Sequence, residues 1–493
     1  MVATTAAPQP MATATRSTRL GVAASLVMFL GASVFSNLTL PPRGTADSLS
    51  HLDYTYQVSQ GRLPETHGFY VSYGAAPTND LVRSGHRQFA SAHPPLFYAL
   101  ASVVEGGAIE EGRWPAAVTR IRAFNTLLGV GTLLTIAWAA WHLGGRRRAE
   151  LAIVSCALAG LAYPFVRHSA DVYNDLLITF LSTAAVALAA VVLREGPRRR
   201  HVALLAVLSA AGMATKATFA ITLVVVLAAL AAAYALEDTR PWRRWWRAGV
   251  ACSIVVLASI SSSGWFYLRN HEQSGSWFRS TPKAPLVGRL RMSISDVLTS
   301  ADVFLVVPRG LLGTIRWEVT VLDNSFLSLA IVVVCTAALG AWLRRDQRWR
   351  ALVRDRRLLL VIGAMTAQLV GLQLAQVQQA VGWGGLNFRY FLPGLLPIVL
   401  FLGLGVLAFE RWAGVAAAAV TAVLALGIVI NAPWQLSRSR YRNDAPGAGW
   451  LDRLEVAAAS NGASLGLLLV LVVVMAVGLV TVAWSITASA ADA

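Results

Sequence analysis

Long apolar stretches recur along the chain near 20–40, 117–143, 150–167, 174–193, 217–236, 248–268, 322–343, 358–380, 391–409, 413–432 and 463–485. A helix that crosses ~30 Å of hydrocarbon needs roughly 20 apolar residues, so each stretch is a candidate membrane span. Two shorter stretches, 94–107 and 202–215, are short spans or re-entrant helices. The expectation is an all-α polytopic integral membrane protein with 11–13 transmembrane helices. Composition points the same way. The chain is 56% hydrophobic and 14% charged, where a soluble chain carries about 25% charged residues. The formal net charge of +17 sits in short clusters between apolar stretches, which argues against a nucleic-acid partner. Cys156, Cys252 and Cys335 all lie inside apolar stretches, so neither a disulfide framework nor a Cys-rich metal site is expected.

Loops rich in Lys and Arg stay in the cytoplasm. That rule places Arg146 to Arg148, Arg194 to Arg200, Arg240 to Arg247 and Arg344 to Arg357 inside, together with an N-terminal tail over 1–19. The loops 41–92, 168–173, 269–321, 381–390 and 433–462 then face outward. This assignment holds only if one short segment fails to cross, because a full crossing at 94–107 inverts everything after it. The first stretch is long for a signal peptide and is read as an uncleaved helix. Pro241-Trp242-Arg243-Arg244-Trp245-Trp246-Arg247 fits an interfacial belt touching anionic headgroups.

Polar chemistry collects on the outward side, which holds six of the eight histidines. The segment from Asp47 to Tyr56 reads as a short helix lying on the membrane surface, with Leu49, Leu52 and Tyr56 on its apolar face and Gly61 and Pro64 beyond its end. Asp47 and His51 are four apart and share a face, which makes them a candidate catalytic pair; an N-cap accounts equally well for Asp47. Asp53 reads as the solvated partner of an Arg, and His67 and His86 as ordinary loop residues. A second group, Asp171, Asn174 and Asp175, has i, i+3, i+4 spacing at the outer start of a span. Carboxylates so close to hydrocarbon are costly unless they serve a cavity or a partner, although helix capping also explains them. Arg269 and Arg389-Tyr390 stand at outer span ends and Lys216 between two apolar stretches with no evident solvated loop; these cations suit a phosphate or snorkelling toward lipid. Nothing in the sequence places Asp296 or Asp302 relative to these.

His93-Pro94-Pro95-Leu96-Phe97-Tyr98, after a long outer loop that opens with an acid, resembles the GT-C superfamily of membrane glycosyltransferases. The likeness is to the protein O-mannosyltransferase and aminoarabinose-transferase branch and its bacterial relatives. Asp47-x-x-x-His51 resembles the first-loop motif, and Asn174-Asp175 the polar pair before a later span. Lys216 resembles a lysine after a short helix, Arg269-Asn270 the end of a middle span, and Arg389-Tyr390-Phe391-Leu392-Pro393 the late Arg-Tyr signature. The resemblance covers residues 20–410 and leaves 411–493 as additional C-terminal helices. In one respect the chain departs, since Ser48 follows Asp47 where the family often has Glu.

The resemblance implies a multi-pass protein of a bacterial plasma membrane that moves a sugar from a polyprenyl-phosphate donor to a glycan, lipid or protein acceptor on the outer face. It implies Asp47 as general base with His51 beside it, and His93, Asp171, Asn174, Asp175, Lys216, Arg269, Arg389 and Tyr390 as substrate-binding residues. It requires no cofactor and admits a divalent metal ion. The short loop 269–321 favours a small or lipid-linked acceptor. A transporter or flippase is the alternative. Such proteins show repeated halves and ionisable residues at mid-membrane, whereas this chain has no evident repeat and gathers its charges at span ends.

Overall fold

The computed structural model describes residues 15–40, 48–65, 68, 71, 88–237, 240–278, 293–310, 325–383, 388–432 and 449–491. Asp47, His67 and His86 lie outside the described residues, as does the side chain of Asp302. Every described element is helical. In chain order these are α1 (Arg16–Thr39), α2 (Ser48–Ser59), α3 (Leu96–Glu105), α4 (Trp114–Leu143), α5 (Arg148–Gly160), α6 (Tyr163–Ser169), α7 (Asp175–Glu195), α8 (Arg199–Met213), α9 (Phe219–Ala235) and α10 (Pro241–Ser274). They continue with α11 (Ile294–Thr299), α12 (Ala301–Gly310), α13 (Ser325–Arg344), α14 (Arg348–Arg354), α15 (Arg356–Trp383), α16 (Leu395–Leu407), α17 (Ala413–Asn431), α18 (Trp450–Ser460) and α19 (Leu465–Ala491).

Among the described residues nine helices are long and apolar enough to cross a membrane, or ten when α5 and α6, bent by 63°, are taken as one. With no water to bond exposed backbone groups, a spanning segment must satisfy them internally, which is why every such stretch is a helix. The protein is an all-α, multi-pass membrane protein.

Contacts sort the helix ends into two groups. At one end Arg194 donates to Asp355 at 2.6 Å, Arg357 to the carbonyls of Leu193 and Arg194, Arg147 to the carbonyl of Leu407 at 2.5 Å, and Arg345 to Glu410 at 2.9 Å. His142 meets Glu195 there. At the other end lie His51, His93, Asp175, Lys216 and Arg389. α7 runs directly from one end to the other, from Asp175 to Arg194 and Glu195.

The same sorting resolves the parity problem in the sequence. Both ends of α3 stay at the Asp175 end: Tyr98 meets His51, while Arg120, in the first turns of α4, donates to the Glu105 carbonyl at 2.6 Å. Ten residues rise only ~15 Å, half of the hydrocarbon thickness. Segment 94–107 therefore does not cross. Segment 202–215 does run end to end, as α8, from the arginine-rich end to Lys216.

α1 belongs to the bundle core. Met28, Phe29 and Phe35 are fully buried, and α19 packs along the whole of α1, with Ser489 beside Ser17 at one end and Asn461 donating to the carbonyls of Leu38 and Leu40 at the other. Gly478 lies against Met28, where a Cβ has no room.

Candidate functional site

α2 departs from the expected surface helix. Leu52, from the expected apolar face, is buried within the protein, and Ser50, His51, Asp53, Tyr54 and Gln57 are buried too. Ser50, Asp53, Tyr54 and Gln57 follow i, i+3, i+4, i+7 spacing and so form one helix face. That inward face is polar, and hydrogen bonds hold it. Tyr54 Oη donates to the carbonyl of His93 at 2.9 Å; burial pushes this phenol up from its ordinary pKa and keeps it a donor. Asp53 is 1% exposed. It is bonded to Gln57, Gln88 and the Val71 backbone rather than standing as a solvated arginine partner.

His51 Nδ1 and Tyr98 Oη lie 2.9 Å apart, and the His51 ring faces His93, Tyr98 and Tyr173. His93 follows a 3-10 turn over Phe89–Ala92, and the Leu96 N–H donates to the Ala214 carbonyl at 3.1 Å. This bond ties the His-Pro-Pro segment to the end of α8, next to Lys216. His93 is held well below its ordinary pKa by burial first and then by Lys216, His51 and Arg389, against an opposing pull from Asp175. It is neutral at physiological pH.

Lys216 sits in the turn between α8 and α9. Gly212 leaves space for the ring of Phe219, so the two helices close tightly and the lysine is presented at the turn. Lys216 Nζ donates to Asp175 Oδ1 at 2.7 Å, and both side chains are buried. Asp175 occupies the first turn of α7, where the helix dipole favours an anion. Arg389 and His168 lie within electrostatic reach of Asp175. Arg389, from the 3-10 turn Phe388–Gly394, packs its guanidinium over Tyr173 at 5.6 Å and over Tyr390 at 5.1 Å. Lys216 stands 5.8 Å over the Tyr390 ring. His168 Nδ1 donates to the Pro164 carbonyl, which leaves Nε2 as the acceptor nitrogen.

The other sequence candidates fall around this centre. Asp171 accepts from Arg167 at 3.0 Å, from Ser48 Oγ at 2.6 Å and from the Val172 N–H. It thereby fastens the start of α2 to the entrance of α7. Asn174 is fully buried, and neither atom of its side-chain amide has a hydrogen-bond partner among the described residues. Arg269 stands at the periphery, donating to the Pro64 carbonyl at 2.9 Å and acting on Tyr54. His93, Asp175, Lys216, Arg389 and Tyr390 converge, with His51 beside them.

Sequence reasoning missed Tyr98, Tyr173, Arg167 and Gln88. Arg167 was detectable from its i, i+4 spacing to Asp171, and Tyr98 closes the His-Pro-Pro motif. Among the described residues no group of three or more His, Cys, Asp or Glu could hold a metal ion.

The fold has known counterparts. The structure of ArnT from Cupriavidus metallidurans bound to undecaprenyl phosphate superposes with a TM-score of 0.52 at 16% identity, covering 96% of this chain and 77% of that one. The chain shares the fold of that structure. Apo ArnT from the same organism gives a TM-score of 0.51 at 14% identity, with 94% and 77% covered. No protein-family model and no curated protein sequence matches the chain. At these identities the likeness is one of architecture alone.

Proposed function

We propose that this protein is a membrane glycosyltransferase that moves a sugar from a polyprenyl-phosphate donor to an acceptor at the outer face of the plasma membrane. The observation that carries the reading is the pairing of buried Lys216 with Asp175 beside Arg389, between Tyr173 and Tyr390. These groups lie at the end opposite the arginine clusters. Buried cations at a span end suit a lipid phosphate, since charge-assisted bonds there are strong and the apolar chain stays in the bilayer. The fold counterpart crystallised with undecaprenyl phosphate points to the same class of ligand.

In this mechanism Asp47 takes the proton of the acceptor hydroxyl and the acceptor oxygen attacks the anomeric carbon. The bond from that carbon to the phosphate oxygen breaks, and polyprenyl phosphate leaves with its electron pair. Lys216 and Arg389 stabilise the charge that grows on the leaving phosphate. Lys216 has three donor hydrogens, of which one goes to Asp175. Neutral His93 and the amide of Asn174 hold sugar or acceptor hydroxyls, His51 orients the first-loop base, and Asp171 and Arg269 position the surrounding chain. A metal ion is not required for any of these steps.

The test compares donors. Purified protein in lipid should turn over a polyprenyl-phosphate sugar and ignore a nucleotide sugar alone, because among the described residues no Gly-rich strand–helix loop exists to cradle a nucleotide. Asp47→Asn should lower turnover by about 10²–10⁴-fold, the usual contribution of a general base, while leaving binding of undecaprenyl phosphate intact. Turnover of a nucleotide sugar without lipid carrier contradicts the reading.

A further inference from the structure

The polar face of α2 raises a question of register. Apolar burial alone does not set which way this helix faces, because beside buried Leu52 the side chains turned inward include Ser50, Asp53, Tyr54 and Gln57. One carboxylate does. Asp53 Oδ1 accepts the Val71 N–H at 2.7 Å, and Asp53 Oδ2 accepts Gln88 Nε2 at 2.6 Å and Gln57 Nε2 at 2.8 Å. Val71 and Gln88 are the described residues on either side of 72–87, so the two oxygens hold both arms of the outer loop. Gln88 then closes the clasp, since Nε2 also donates to the Ser50 carbonyl at 2.8 Å and Oε1 accepts from Ser50 Oγ and from the Ala90 N–H. The Gln88 N–H donates to the Gly68 carbonyl at 2.9 Å.

We infer that Asp53 is the positioning residue of the site: its carboxylate clasps both arms of the outer loop onto α2 and so sets His51 against His93 and Tyr98. The inference rests on the reading of this cluster as the donor site. Only a carboxylate fits the position. It is acceptor-only, and three donors converge on it in a place that water does not reach. An Asn there turns an N–H₂ group toward the donors it should receive and leaves buried groups unpaired, which is costly. His51 lies one residue from Ser50 and two from Asp53, so a rotation of α2 about its axis carries His51 away from Tyr98 before it disturbs Lys216 or Arg389.

The test uses the full chain with 15N-labelled histidine in lipid nanodiscs, with the His51 imidazole signal assigned through His51→Gln. Asp53→Asn and Gln88→Leu should each shift or broaden the His51 signal while leaving that of His168 in place. Gln57→Ala should move neither, because Gln57 bonds Asp53 from within the same helix and holds no loop arm. A His51 signal unchanged in folded Asp53→Asn and Gln88→Leu overturns the inference. So does failure of both variants to fold while Gln57→Ala folds, since Asp53 is then a folding residue alone. Titration of the unmodified protein with undecaprenyl phosphate is scored separately. If it does not bind, the donor-site reading falls while the His51 result still reports on the clasp.

Discussion

Lys216 and Asp175 illustrate what a buried ion pair does and does not contribute. Removing one partner leaves the other charge uncompensated away from water, which costs about 3–5 kcal/mol, whereas replacing both is often near neutral. Lys216→Met should therefore lower the melting temperature sharply. Lys216→Met with Asp175→Asn should recover most of the stability and none of the turnover, as read by thermal unfolding beside a transfer assay. Recovery of turnover in the double variant would remove the pair from the chemistry. His93 gives a pH signature. Its pKa is lowered in the folded state while the unfolded chain titrates near 6.5, so the unfolded state binds more protons below that pH. Stability is complete above about pH 6.5 and falls as the pH drops further. His93→Gln should flatten that loss in melting curves taken between pH 5 and 7, and an unchanged slope would contradict the assignment.

The elements show how much the sequence disclosed and where it stopped. The long spans were legible because hydrocarbon thickness dictates their length, and α13, α15, α17 and α19 lie within a few residues of the apolar stretches that announced them. α10 runs longer than its stretch because the Trp-Arg segment from Pro241 continues as helix. The residues of the Lys216 cluster were legible as types and as order along the chain, since charged groups at span ends need a reason. Their convergence was not, because it depends on which short segment stays on one side. Segment 94–107 and segment 202–215 are both short and apolar, and the bonds from Tyr98 and Arg120 fix the former at the Asp175 end. Asp53 and Gln88 lie 35 residues apart, and no periodicity links them. The placement of α3 predicts that a cysteine at Glu110, in a chain freed of Cys156, Cys252 and Cys335, reacts with a membrane-impermeant maleimide on intact cells. A cysteine at Arg198 should react only after lysis. A cysteine at Gln60, before α3, should react from the same side as Glu110; labelling at 60 with protection at 110 would mean that α3 crosses.

For the whole molecule, one end of the bundle is laced by arginine pairs such as Arg194–Asp355 and Arg345–Glu410. The other end carries the buried cluster around Lys216. In the proposed function that polarity corresponds to a positive-inside orientation with the site opening outward, and the lipid-phosphate headgroup is proposed to bind at the Lys216 end with its chain among the helices. Binding should depend on Arg389 more than on any cytoplasmic arginine: Arg389→Gln should weaken undecaprenyl phosphate by roughly tenfold or more, the loss of one charge-assisted bond of about 1.5–3 kcal/mol, while Arg198→Gln leaves it unchanged in the same lipid. The most direct measurement is a cryo-EM map of the protein in nanodiscs with undecaprenyl phosphate. Phosphate density in contact with Lys216 and Arg389 is the predicted result. Phosphate density at the arginine-rich end, with none beside Lys216, would contradict the account.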